Sequence, residues 1–150
     1  MAKITLDERL ERERLHAAAE DGNLAEVQRL VAEGRQLDLF DEISYTPLHY
    51  AVRGEHYKVV QYLLSKGANV NAHDSEGAGD TSLAVAAQGE YPEMAELLLK
   101  SGADPDIPGW MAVTARLHAM RRKDEEGQRM LALIEHYRPA GHARRKRDDA

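Results

Sequence analysis

Four residues with the chemistry of a metal or acid–base site crowd one short stretch: His73, Asp74, Glu76 and Asp80. An imidazole and three carboxylates offer nitrogen and oxygen ligands, and Asp74, Glu76 and Asp80 faintly resemble a calcium loop. Such a loop needs a bidentate glutamate at its twelfth position, which counted from Asp74 is Val85. A solvated acidic loop fits the pattern better. Gly77-Ala78-Gly79 lacks the third glycine of a dinucleotide loop, follows no strand pattern, and has no phosphate-cradling G-x-x-x-x-G-K-[ST] elsewhere to support it. The seven histidines are scattered, and none makes a pair with ligand spacing. Without cysteine, the chain has no thiolate nucleophile or ligand, and no serine sits in an elbow motif. The expectation is a protein that is not an enzyme and holds no cofactor or metal. A metal-dependent small-molecule site in the 73–80 loop is the minor alternative.

The elements that would position these residues recur. Leu15, Leu48 and Leu83 return at steps of 33 and 35, and so do Gly34, Gly67 and Gly102, and Asp38, Asn71 and Asp106. Thr46, Thr81 and Thr114 continue the beat at 35 and 33. A period in this range marks stacked repeats, each too small to bury its apolar face until a neighbour covers it. Within one unit Leu48, Ala51 and Val52 fall at i, i+3 and i+4, and Val59, Val60, Leu63 and Leu64 repeat that spacing. Both segments therefore read as short amphipathic helices. Thr46 and Pro47 supply an N-cap and a first-turn proline, Pro92 opens another helix, and Gly67 and Gly102 stand where a helix ends left-handed.

The clearest copy, Thr46-Pro47-Leu48-His49-Tyr50-Ala51 followed by Gly67-Ala68-Asn69, resembles the ankyrin repeat. The third copy keeps Thr81, Leu83, Ala86, Ala87 and Gly102-Ala103-Asp104, with Ser82 for proline. The first keeps Leu15-His16, Gly22, Val27, Leu30 and Gly34. The resemblance implies an all-α solenoid of helix-turn-helix units joined by β-hairpin-like loops. It also implies that His16 and His49 are structural. The units read as 10–42, 43–77, 78–110 and 111–137 in one domain, 1–139, with a charged cap over 1–9 and a disordered basic tail over 140–150. Several departures stand out. Two extra residues near Ser75-Glu76-Gly77 predict a longer second loop, and Ser44 replaces the usual glycine. Gly54-Glu55 and Gly89-Glu90 place glycine one residue early. In the last unit Arg116 falls where leucine belongs, so either that helix is offset by a residue or Arg116 caps a solvent-facing end. Pro139 and Gly141 are expected to stop the last helix.

At 150 residues the chain is long enough for one domain. It contains no run near the ~18 apolar residues of a membrane span and no secretory h-region at its start. A cytoplasmic protein without membrane contact is expected. Carried over by register, the binding face comprises Phe40, Glu42, Ile43, Tyr45, Glu76, Ala78, Asp80, Trp110 and Met111 on the loops. Tyr50, Arg53, Gln88, His118, Arg121 and Arg122 line the groove side. The formal charge is −6; the tail contributes +4 and −2, leaving −8 on the rest. Carboxylates around aromatic anchors steer a basic protein partner and repel phosphates, so no nucleic acid is expected on the repeat body. The resemblance implies a module, monomeric when free, that masks or recruits a basic protein, in concrete form an inhibitor or toxin-neutralising immunity protein. A scaffold or self-associating unit is the alternative. On this reading Trp110→Ala and Tyr45→Ala weaken binding and leave melting nearly unchanged.

Overall fold

The computed structural model describes residues 3–76, 79–89 and 91–137. Helices α1 (Leu6–Arg12), α2 (Arg14–Glu20), α3 (Leu24–Ala32), α4 (Pro47–Arg53) and α5 (Tyr57–Ser65) come first. They are followed by α6 (Ser82–Gly89), α7 (Pro92–Lys100), α8 (Ala115–Arg121) and α9 (Glu125–His136). Helices α2, α4, α6 and α8 pack side by side as one layer, each backed by its partner α3, α5, α7 or α9. No described helix is long and apolar enough to cross a membrane. The last helix stops at His136, and Pro139, Gly141 and the basic tail lie outside the described residues.

The core follows the repeat register. Leu15, Leu48 and Leu83 are sealed between the layers with Val27 and Leu30, Val59 and Leu63, Met94 and Leu98, and Met130 and Ile134. Each such side chain contributes about 1.5–3 kcal/mol on full burial. Only stacking completes that burial, because each core residue is covered partly by the next pair. Local signals set the helix ends: Pro47 and Pro92 occupy first turns, while Asn23, Thr114 and Asp124 accept N–H groups from their own helices. Gly34, Gly67 and Gly102 end α3, α5 and α7 at φ of 89°, 94° and 92°.

Two histidines bolt first helices to the loops that follow them, one of them across units. The backbone N–H and hydroxyl of Thr46 both reach His49 Nδ1, at 3.1 and 2.8 Å. An N–H can only donate, so Nδ1 accepts and the ring proton sits on Nε2, which donates to the Asp80 carbonyl at 2.7 Å. His16 Nε2 makes the matching 2.7 Å bond to Leu39 O. Its Nδ1 has no partner, because Glu13 replaces the threonine and α1 runs almost straight into α2. A second ladder joins the loops behind the helices. Asp38 accepts Asn69 N–H at 2.9 Å, and Asn71 accepts Asp104 N–H at 2.7 Å while donating to Gly102 O.

The departures from the repeat pattern resolve physically. Arg116 does cap a solvent-facing end: α8 keeps its register, with Thr114 accepting Leu117 N–H and Ala115 and Ala119 buried. Its guanidinium pairs with Asp106 at 2.7 Å and with Glu135. The ladder residue Asp106 is engaged in this way. The early glycines make room for the residue two places on. A Cβ at Gly54 would lie 2.5 Å from the His56 ring, and one at Gly89 would lie 2.4 Å from Tyr91. The freed His56 ring reaches back over Gly22 to bond Glu20 O at 2.8 Å. The left-handed position then falls on Glu55, at φ 56°, where the first unit has Gly22 at φ 67°. Glu90 lies outside the described residues. Over the N-terminal end lies α1, held by Arg9–Glu42 and by Arg35 on Glu11, with Ile4, Leu6 and Leu10 exposed among its charges.

The loops are not β-hairpins, for no strand forms among the described residues. The first is closed by Asp41 N–H to Tyr45 O at 2.9 Å and Ser44 N–H to Asp41 O at 3.1 Å, the third by Gly109 N–H to Val113 O at 2.9 Å with Ala112 N–H to Gly109 O and Val113 N–H to Trp110 O inside it. Turn bonds of this kind make no ladder, so these loops are tight-turned fingers.

Two outcomes test this account. A left-handed non-glycine residue costs roughly 1–2 kcal/mol, offset in part by the greater unfolded-state freedom of glycine. Glu55→Gly is therefore expected to raise stability by about 0.5–1 kcal/mol in urea unfolding, whereas a loss would show that Glu55 is not strained. Burial holds the His49 imidazole down at about 4 against about 6.5 in the unfolded chain, despite help for its charged form from the Asp80 carbonyl. Its contribution is full above about pH 6.5, falls as pH drops, and is gone below about 4. Unfolding at about pH 7 and about pH 5 is expected to differ by about 2 kcal/mol in favour of pH 7 from this group. An imidazole that NMR shows charged at pH ~5 would contradict the assignment.

Candidate protein-binding face

The face displayed by the fingers and first helices is organised by two aspartates. In the first finger Asp41 Oδ1 accepts Ile43 N–H and Tyr45 N–H at 3.0 and 2.9 Å, and Oδ2 accepts the Tyr50 hydroxyl. An aspartate that opens a turn in this way bonds its own backbone two residues on. Ser44 closes the turn in a left-handed conformation at φ 64°, and its hydroxyl donates to Asp74 of the second finger at 2.7 Å. The serine thus ties two fingers together where glycine could only turn. Ile43 at the tip is 54% exposed, while Phe40 is half-buried at the finger's base. Glu42 turns toward α1 and pairs with Arg9 at 2.6 Å.

The second finger folds back on itself: a Cβ at Gly79 would meet the Asp74 backbone at 2.3 Å, and Asp74 accepts Glu76 N–H at 3.0 Å. Ser75 and Glu76 are exposed; Ala78, placed on the face by register, lies outside the described residues. His73 bonds Asn71 O at 3.0 Å, and Asp80 is committed to the third finger and to Gln88. His73, Asp74 and Asp80 therefore serve separate structural bonds, and Glu76 contributes its backbone N–H. Among the described residues no three or more His, Asp or Glu side chains gather to hold a metal ion.

The third finger carries the largest exposed apolar side chains. Val113 N–H bonds Trp110 O at 3.2 Å around Met111 and Ala112, whose φ values are 55° and 60°. Two successive left-handed residues define a type I′ turn, which normally selects Asn-Gly. Here Met-Ala occupies it, leaving Trp110 60% and Met111 73% exposed. Asp80 Oδ1 holds the finger's base through Trp110 N–H at 3.0 Å, and only glycine fits at 109, where a Cβ would lie 2.1 Å from that oxygen.

On the helices Tyr45 stacks on His49, with centroids 5.0 Å apart, and meets Tyr50 edge-on at 5.5 Å. Arg53 lies over Tyr50 at 4.9 Å and pairs with Glu20 at 3.1 Å. Burial, then the bond to Asp41, raises the Tyr50 hydroxyl well above the usual tyrosine range, so it remains a donor. Farther along, a recess of about 440 Å³ is lined by Gln88, His118, Arg121, Arg122 and Asp124. Arg121 is exposed there, and Arg122 pairs with Asp124 at 2.6 Å. Tyr45, Tyr50 and Arg53 thus form one cluster and Asp80, Gln88 and the Trp110 backbone another. Glu42 and Ile43 belong to the first finger alone. Register did not single out Asp41, although an aspartate before Glu-Ile-Ser-Tyr is the signal of its turn.

Comparison with known proteins agrees with this architecture. The family model described as ankyrin repeats (3 copies) matches residues 15–109, more than half of the chain. The ankyrin repeat and KH domain-containing protein mask-1 of Caenorhabditis elegans is 41% identical over 91 residues, 61% of this chain and 3% of that protein. The B-cell lymphoma 3 protein of Homo sapiens is 37% identical over 106 residues, 68% of this chain and 22% of that one. The E3 ubiquitin-protein ligase hecd-1 of C. elegans is 28% identical over 141 residues, 94% of this chain and 5% of the ligase. The chain thus spans less than a quarter of each of these relatives. The repeat register, the histidine bolts and the family match together make this chain a member of the ankyrin-repeat family, whose stacked helix pairs form an interaction module.

Proposed function

We propose that this chain binds another protein through its fingers and first helices, with Trp110 and Met111 as anchors and Ile43, Tyr45, Tyr50 and Arg53 extending the contact. The observation that carries the reading is the third finger. Two non-glycine left-handed residues cost roughly 1–2 kcal/mol each, and they hold an indole and a thioether out in water. Strain of this kind is retained where an exposed conformation is used. Large aromatic side chains are also the residues that dominate interface energetics.

The partner's chemistry follows from charge. Glu42, Asp74, Glu76 and Asp80 stand on or beside the fingers of a chain whose formal charge is −6. Among these Glu42 is paired with Arg9, and the groove cation Arg53 is paired with Glu20. A basic protein surface is the complement of such a face, and long-range attraction would speed its docking. In its sharpest form the module is a cytoplasmic monomer that masks a basic partner and so inhibits it.

The test is a pull-down from host lysate at low and high salt, comparing wild type with a Trp110→Ala, Met111→Ala double variant. A basic protein held by wild type, weakened by salt and bound about 30-fold less tightly by the variant, is the expected result. The variant's melting is expected to stay within about 0.5 kcal/mol of wild type, because both side chains are exposed. Equal retention by both would move the binding face elsewhere. Tyr45→Ala is a poorer probe than its loop position suggests. The half-buried ring packs on His49 and Tyr50, so its removal is expected to lower stability by about 1–2 kcal/mol as well.

A further inference from the structure

Asp80 stands where three units meet. Its carbonyl accepts from His49 of the preceding helix pair, Oδ1 accepts Trp110 N–H at 3.0 Å, and Oδ2 accepts Gln88 Nε2–H at 2.9 Å. Gln88 Nε2 also lies 3.1 Å from His118 Nε2, on the next helix of the layer. A carboxylate only accepts, so Gln88 must turn its amide nitrogen toward Asp80. The second N–H of that nitrogen then faces His118, whose Nε2 has to be the bare acceptor, with the ring proton on Nδ1. The assignment of every proton in this chain of bonds is dictated by Asp80.

We infer that His118 is a positioning residue for the Trp110 finger, and that protonating it releases the finger from the groove. An imidazolium presents N–H at Nε2, against an amide N–H already there, and two donors cannot share one bond. Either Gln88 turns its oxygen to the imidazolium and withdraws its N–H from Asp80, or the imidazolium takes the Asp80 carboxylate itself. Both arrangements shift that carboxylate. It cannot shift alone, because the finger backbone at Gly109 packs so closely on Oδ1 that not even a methyl group would fit. The movement is passed to Trp110, whose N–H hangs on the same oxygen.

The surroundings set the pH range. Facing His118 are the Asp80 carboxylate from the second finger and Arg121 on its own helix, while Arg122 and Asp124 of the following turn line the same recess. Helix α6, which packs against α8, carries no charged side chain. Burial foremost, assisted by Arg121 and opposed by Asp80, holds the imidazole below its ordinary value of about 6.5. The release belongs below that pH.

This inference rests on the reading of Trp110 as a partner anchor for its functional meaning, but its test needs no partner. Trp110 is the only tryptophan in the chain, so its emission reports on this finger alone. Between about pH 8 and about pH 5, wild type is expected to show one red shift with a midpoint below about 6.5. His118→Gln, folded by far-UV circular dichroism, is expected to lose the step. Gln88→Leu, which cannot donate to Asp80, is expected to show the acid-limit spectrum already at about pH 8. A flat wild-type titration, or an unchanged step in His118→Gln, overturns the inference. If His118→Gln fails to fold, Gln88→Leu decides, and a spectrum at the wild-type alkaline limit overturns it. A normal pH step in a protein whose Trp110→Ala, Met111→Ala variant still binds its partner would overturn the proposed binding face and leave the switch standing.

Discussion

A pair of helices seven to twelve residues long cannot bury an apolar face by itself, and everything else in this protein answers that constraint. Isolated helices of this length are marginal in water, so their stability has to come from tertiary packing. In the complete stack Leu15, Leu48 and Leu83 are all sealed from water. The interfaces between units therefore hold the core. One histidine bond acts at such an interface: His49 joins the first helix of its unit to Asp80 of the next, while His16 bonds Leu39 within its own unit, so the finger that Asp80 anchors is placed by the unit before it as much as by its own helix.

The first and last described units answer the constraint differently from the middle ones. In the last, Arg116 takes the place of leucine and pairs with the ladder carboxylate Asp106. At the other end α1 replaces a finger, and His16 keeps its bond to Leu39 while its second ring nitrogen goes unmatched. Between these ends Asp80 concentrates the consequences. A residue whose carbonyl completes the unit before it also anchors the finger after it, so packing order and binding surface are set by the same bonds.

Much of this was legible in the residues. The leucine, glycine and asparagine beats located the helix pairs, Thr46-Pro47 and Pro92 their starts, and Gly67 and Gly102 their ends, since each is a local backbone preference. The 33 and 35 residue steps located the longer second finger. Less was legible at the fingers. A resemblance to β-hairpins does not reveal that the fingers close through a few turn bonds and no ladder, or that Met111 and Ala112 adopt a turn their side chains disfavour. The early glycines read as irregular turns, although their purpose is to clear space for the His56 and Tyr91 rings.

The sequence alone determined the all-helical repeat architecture, its register and its caps, because these depend on residue type and spacing within a few turns of chain. It also bounded the chemistry, since no ligand spacing or nucleophile motif appears. Tertiary structure decided which of two roles Arg116 plays, which ring nitrogen of His49 carries the proton, and that Asp41 and Asp80 organise the fingers. It also decided that Tyr45 is part of the packing while Trp110 is not. The reason is physical: these outcomes depend on which side chains and backbone groups meet in space, and the bonds around Asp80 join residues about thirty positions apart, as His49 to Asp80, Gln88 to His118 and Asp80 to Trp110. Partners so distant meet only after the stack has formed.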